Sequence, residues 1–267
     1  KVYTSNNRLE QEVPFPLSFN ANGYISGISA SVTEQEDGMT VTYNSTVYYQ
    51  YDAEGRFTGN VAQTAGQGWF TEDGLQYTVN MQYSGKNTFT WEDGKLMVAK
   101  SEGTTAYSIP GYPNEYYSEG QTVNFYYEQE YPNRYCQYGP FIDKFDSELD
   151  VTGVFNVGFY GRGPAMLPSS YESKSYESDD NGGEIEEYLD GRGTFQYRFN
   201  EDGTIAWMKV GSESYSFVYE DLTANAAKAR NFVMAPEAEN STALKSDKKK
   251  SAMMRCLEKI RANVMAK

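Results

Sequence analysis

The chain of 267 residues contains no histidine and only two cysteines. Each absence removes a class of chemistry. Without imidazole there is no Ser-His-Asp or Cys-His relay, no histidine general base and no His-ligated zinc, iron or copper. Cys136 and Cys256 cannot supply a four-thiolate cluster. Lone cysteines are most often small buried hydrophobes, so two free thiols are expected, with a Cys136–Cys256 staple left open because spacing alone cannot pair them. No cofactor and no metal is expected. The longest uncharged stretch, Val13 to Thr33, is broken by Pro14, Pro16, Asn20, Asn22, Gly23 and Gly27, which excludes a membrane helix there.

Bases are scarce too, 23 against 37 acids, for a net charge of −14. Such a balance repels phosphate backbones and argues against DNA or RNA as partner. The shortage is uneven. Residues 1–221 hold 33 acids and 13 bases, whereas residues 222–267 hold 4 and 10, with Phe232 the one aromatic. This divides the chain into a body, 1–221, and a basic linker with a C-terminal helix, 222–267. Lys1 is not an initiator methionine, so the sequence is read as a processed or trimmed product, compatible with a lipid anchor upstream.

Tyrosine is abundant, 24 residues, beside 14 Phe, 3 Trp and 24 Gly. This composition suits broad, half-wet sheet faces better than a helical interior. One pattern recurs: an aromatic, a short polar residue, two variable positions, Gly, one residue, then an apolar residue. It reads Phe19 to Ile25, Tyr51 to Phe57 and Phe199 to Ile205, with shorter versions at Trp91 to Leu96 and Phe70 to Leu75. Asp and Asn bond their own backbone and tolerate left-handed angles, and Gly supplies positive φ, so each copy predicts a hairpin corner. Between corners, Leu75, Tyr77, Val79, Met81 and Tyr83 alternate with polar residues; Phe195, Tyr197 and Phe199 do likewise, as do Phe155, Val157 and Phe159. Alternation with one wet face predicts an antiparallel meander rather than a parallel sheet. The fold class is therefore all-β: an antiparallel meander forming a curved sheet or incomplete barrel, plus one C-terminal amphipathic helix. In that helix Met253, Leu257, Ile260 and Val264 make an apolar stripe, expected to dock on the acidic body, after a linker over residues 235–247.

The segment Gly158 to Ser170, with an acidic loop and the hairpin Tyr197 to Ile205, is similar to a family of exported proteins from gut Bacteroidetes, described as having a porin-like fold and no assigned function. The likeness spans roughly residues 40–221, and departs from the family pattern at Met166 and in the basic tail. The corners also resemble the tyrosine-aspartate repeats of bacterial surface proteins. The resemblance implies export, a curved antiparallel sheet and a periplasmic or cell-surface location. It implies nothing about catalysis.

Three sites stand out. Trp69, Trp91, Trp207 and Tyr126, with Tyr48, Tyr49, Tyr51 and Tyr127 beside them, either serve as plain core or line a concave face and hold a glycan or lipid-like ligand, since aromatic rings offer wide apolar faces. Asp143, Asp146, Glu148 and Asp150 are the carboxylates from which a histidine-free hydrolase would be built. The run Tyr176 to Glu187 holds six carboxylates and is read as a solvated loop before a calcium site. The expectation is a non-catalytic binding module of the cell envelope, ahead of an assembly protein that engages another chain and of a carboxylate hydrolase.

Overall fold

The computed structural model describes residues 2–3, 9–11, 17–111, 114–136, 138, 141–142, 160–178, 185–211, 213–218, 233–234 and 252–265. The strands are β1 (Val2–Tyr3), β2 (Leu9–Gln11), β3 (Leu17–Phe19), β4 (Ile25–Glu36), β5 (Met39–Tyr51), β6 (Phe57–Glu72), β7 (Leu75–Glu92), β8 (Lys95–Ser108), β9 (Glu115–Tyr126), β10 (Tyr131–Pro132), β11 (Met166–Leu167), β12 (Ser170–Ser178), β13 (Ile185–Phe199), β14 (Ile205–Val210), β15 (Glu213–Val218) and β16 (Val233–Met234), followed by helix α1 (Ala252–Met265). Twelve of them make one sheet in the order β16-β15-β14-β13-β12-β9-β8-β7-β6-β5-β4-β3. Every pairing is antiparallel. The sheet is curved and open: an incomplete barrel, as the alternation predicts.

The corners follow the repeat and divide into two kinds. Asn20, Asp52 and Asn200 open three-residue-spaced loops in which the amides of Gly23, Gly55 and Gly203 bond back to their carbonyls. A register shift immediately precedes each corner, at Ser18/Phe19, Gln50/Tyr51 and Arg198/Phe199. Asp37-Gly38, Asp73-Gly74 and Asp93-Gly94 instead place two consecutive residues at positive φ, the tight hairpin turn that Asp-Gly favours. The first of these three lies outside the repeat read from the sequence.

One face of the sheet is covered and the other is open. On the covered face lie two apolar clusters. Near the Asx corners, Ile25, Phe57, Phe89, Leu96, Val123, Phe125, Phe195 and Met208 are roofed by Tyr138, Phe141, Ile142, Tyr160 and Leu167 from the connection between β9 and β12. Toward the other end, Met39, Val41, Phe70, Val79, Met81, Tyr107 and Ile109 are roofed by Met253, Cys256, Leu257 and Ile260 of α1. The helix seats closely because Gly68 leaves no side chain beneath it: a Cβ there would stand 2.9 Å from Leu257 Cδ2 and from Met81 Cε. Arg261 Nε donates to Glu72 at 3.1 Å and Nη1 to the Asp37 carbonyl at 3.0 Å, tying the helix to two hairpin tips.

Between the clusters the face turns polar and glycine-rich. Thr64 Oγ1 donates to Ser45 Oγ, and Gln121 Nε2 donates to Ser173 Oγ and Asp190 Oδ2. Tyr83 packs against both clusters, and its ring fills the space that a Cβ at Gly85 or Gly103 would need. Aromatic cover of paired glycines keeps a bend from becoming a void. Both cysteines are free, Cys256 buried on the sheet-facing side of α1. The expected boundary at Asp221, the linker, the 155–159 alternation and the side chain of Val264 lie outside the described residues, as do Asp143, Asp146, Glu148 and Asp150 and the centre of the acidic run, residues 179–184.

Two outcomes follow from this packing. Leu257→Ala removes a fully buried side chain from the helix–sheet contact and costs about 2–5 kcal/mol in urea unfolding; a change under about 1 kcal/mol contradicts the described packing. Burial lifts the phenols of Tyr51, Tyr117, Tyr127, Tyr138 and Tyr197 well above the ordinary tyrosine range. A phenol that holds its proton more tightly when folded stabilises the fold fully below about pH 10, and that contribution is lost as pH rises toward the folded value. Titration followed at 295 nm should therefore show a late class of tyrosines that ionise together with loss of the far-ultraviolet strand signal.

Candidate functional site

The leading aromatic candidates, Trp69, Trp91, Trp207 and Tyr126, do not converge. Alternation and burial place even-numbered residues of β6 and odd-numbered residues of β7 on the covered face. Trp91 therefore points into the covered side, where its Nε1 donates to the Phe57 carbonyl at 2.8 Å and its ring meets Tyr138 edge-on. Arg56 lies 5.5 Å above the same ring. Trp69, Tyr126 and Trp207 occupy open-face positions on three different strands. Trp207 already carries the Arg198 guanidinium 4.8 Å over its ring. Trp69 shares a row with Thr78 of β7, while Tyr126 falls near the row of Glu92, roughly 45 Å along the strand at about 3.3 Å per residue.

Over β4, β5 and β7 the open face is largely hydroxyl and amide, with Tyr48 and Lys86 among them. On β4 and β5 it presents Ser29, Ser31, Thr33, Gln35, Thr40, Thr42, Asn44 and Thr46, with Thr33 and Thr42 bonded to each other through their Oγ1 atoms. On β7 it presents Thr78, Asn80, Gln82, Ser84 and Thr88, and Gln67 of β6 reaches Asn80 at 3.0 Å. A lipid-facing barrel wall carries an apolar belt about 25 Å tall; these rows of β4, β5 and β7 are mostly polar instead. No helix among the described residues is long and apolar enough to cross a membrane.

A cleft of about 430 Å³ opens at the edge of this face, lined by Glu92, Asp93, Lys95, Met97, Tyr126, Tyr127 and Glu128. Its volume falls in the range of small-ligand sites. The turn Asp93-Gly94, with φ of 47° and 73°, sets Glu92 opposite Lys95.

 The Asp93 angle is 47° and the matching Asp73 angle 49°, so the two tips share one left-handed geometry. Met97 is the extra residue of a register shift between Thr90 and Trp91, which brings its side chain to the cleft.

Across the cleft, the chain leaving β9 is pinned by Ser169. This buried residue donates from its amide and its hydroxyl to the Tyr126 carbonyl, at 2.8 and 3.1 Å, and its Oγ accepts the Glu128 amide at 3.0 Å. Tyr127 donates to the Leu96 carbonyl at 2.8 Å, with Lys95 Nζ 5.5 Å above its ring; burial raises its phenol well above the ordinary range. The result is a fixed frame that leaves Tyr126 43% exposed in a cleft shared with Met97, lined by one ammonium and three carboxylates. Among the described residues no group of three or more His, Cys, Asp or Glu is set to hold a metal. Of the cleft residues the sequence singled out Tyr126 and Tyr127. The hairpin at Trp91 to Leu96 was the available signal for Glu92, Asp93 and Lys95, whereas Ser169 had none of its own.

No family model matches the chain, and no curated protein does. Among solved structures, a porin-like protein from Bacteroides uniformis is similar, with 11% identity over 82% of this chain and 100% of that one, at a TM-score of 0.26. The description porin-like belongs to that protein, and a likeness at this level carries no argument about this chain.

Ser169→Ala leaves the Glu128 amide without its acceptor and loosens the loop. The expected cost is about 1–3 kcal/mol in thermal or urea unfolding, with faster amide exchange confined to residues 126–128. Unchanged exchange there would show that the frame does not depend on this hydroxyl.

Proposed function

We propose that the protein is a non-catalytic module that binds a glycan at the cell envelope, with the Tyr126 cleft as its sugar site. The observation that carries this reading is the pairing of an exposed tyrosine ring with a charged, hydrogen-bonding rim on a fixed backbone. A pyranose has an apolar C–H face that stacks on an aromatic ring and equatorial hydroxyls that bond to carboxylates and ammonium groups. Glu92, Asp93 and Glu128 offer the acceptors, and Lys95 the donor. An acyl chain fits less well, because covering this rim with hydrocarbon would desolvate four charges without replacing their hydrogen bonds. The envelope location is supported by the sequence resemblance and by the acidic, cysteine-poor composition.

An array of neutral and uronic-acid oligosaccharides, followed by calorimetry with the strongest binder, tests the reading. Tyr126→Ala should weaken that binder about tenfold, or about 1.4 kcal/mol, while changing stability by less than about 0.5 kcal/mol. An array with no binder at all, or a binder indifferent to Tyr126→Ala, removes it.

A further inference from the structure

The lining of the Tyr126 cleft is unbalanced in charge. Glu92, Asp93 and Glu128 bring three carboxylates against the single ammonium of Lys95. All three acids are exposed, and among the described residues none of them has an ion-pair partner. Lys95 is partly buried, with its Nζ drawn 5.5 Å over the Tyr127 ring. The neighbouring strand β12 does not redress the balance. Its Lys174 Nζ is held by Glu187 at 3.0 Å, and its Glu172, opposite Asn124, is one more acid. Beyond Glu128 the chain continues with Glu130, also exposed.

These carboxylates line the cleft without converging. Among the described residues no group of three or more His, Cys, Asp or Glu is set to hold a metal ion, so the negative charge is spread around the cleft and not focused on a point. Such a spread suits an organic ammonium group, which has separate N–H donors to give, better than a compact metal ion that needs about six or more oxygens at once. It also repels an anion. A sugar carboxylate here would meet three like charges, while the one ammonium is already engaged with a ring.

The aromatic side chain points the same way. Tyr126, 43% exposed, offers a ring to the C–H side of a sugar and to an ammonium beside it, since the quadrupole that draws Lys95 to Tyr127 acts equally on a ligand cation. Exposed charge pairs contribute little singly, so selectivity at this cleft comes from several weak pairs together and is screened by salt. We infer that the cleft selects a glycan carrying free amino groups, an amino sugar without its acyl cap, over neutral and acidic glycans. This inference rests on the sugar-site reading and narrows its ligand class.

Calorimetry with the full chain tests it against a β-1,4-linked glucosamine tetrasaccharide, the fully N-acetylated counterpart, a galacturonic acid tetrasaccharide, and tetralysine, which carries the charge without the rings. At low ionic strength the glucosamine tetramer should bind at one site about tenfold or more tightly than each of the others, a preference that shrinks roughly threefold in about 0.5 M salt. Glu92→Gln/Glu128→Gln should lower the ratio of glucosamine to N-acetylglucosamine affinity about fivefold, with an unchanged thermal unfolding midpoint. Tyr126→Ala should weaken both sugars. A neutral tetramer that binds as tightly as the cationic one, and still depends on Tyr126, would overturn the inference and leave the sugar site in place. Equal binding by tetralysine would overturn it as charge attraction alone. A uronate that binds most tightly, a double variant that keeps its ratio, or no binding by any of these probes would overturn it too, while the oligosaccharide array decides the sugar site separately.

Discussion

The two-residue period of the strand is the constraint from which the rest of this molecule follows. A sheet this wide has two faces, and its sequence gathers the buried apolar side chains on one of them. That face must be covered. A closed small barrel covers it by turning it inward, where the side chains fill the interior. Here the sheet stays open, and the chain supplies its own roof in two pieces: the β9–β12 connection over one cluster and α1 over the other. Glycine makes both possible. Gly68 admits the helix, while Gly85 and Gly103 give Tyr83 room to lie across the polar band between the roofs.

The division of labour between the faces also sets what each can do. The covered face is committed to packing, and Trp91 is part of that commitment through its bond to Phe57 and its contact with Tyr138. The open face and the strand ends stand outside that packing. There the hairpin tip at Asp93 and the loop held by Ser169 stand on either side of one cleft. Precision at such a cleft comes from the strands and the buried hydroxyl behind it, in keeping with a site grafted onto a scaffold that does not by itself dictate function.

Much of the scaffold was legible because its signals are local. Asp and Asn followed by Gly mark corners by their own backbone preferences, and alternation over Leu75 to Tyr83 marks a strand without reference to any neighbour. The helical stripe was legible for the same reason, although Cys256 completes the buried set that the sequence reading drew with Val264. The site was less legible because face and position depend on shifts that the sequence does not advertise. The shift at Thr90/Trp91 inserts Met97, and those at Tyr51 and Phe199 change which residues meet across the ladder. Tryptophans that look equivalent along the chain therefore separate onto opposite faces and distant rows. The roof residues Tyr138, Phe141 and Tyr160 were hidden for another reason: they sit outside any regular element, so no period announces them.

Chain order gives the helical roof a further meaning. The sheet residues that α1 shelters lie between Met39 and Ile109, whereas the helix begins at Ala252, more than a hundred positions later. During vectorial synthesis the strands emerge long before their cover does. Met39, Val41, Phe70, Val79 and Met81 must then wait as a naked greasy surface, or the meander must delay its final compaction until the last segment arrives. Long-range closure of this sort slows folding and leaves nascent chains adhesive. A chaperone that shields emerging polypeptide thus has a defined task here, namely guarding one patch until its own lid is delivered.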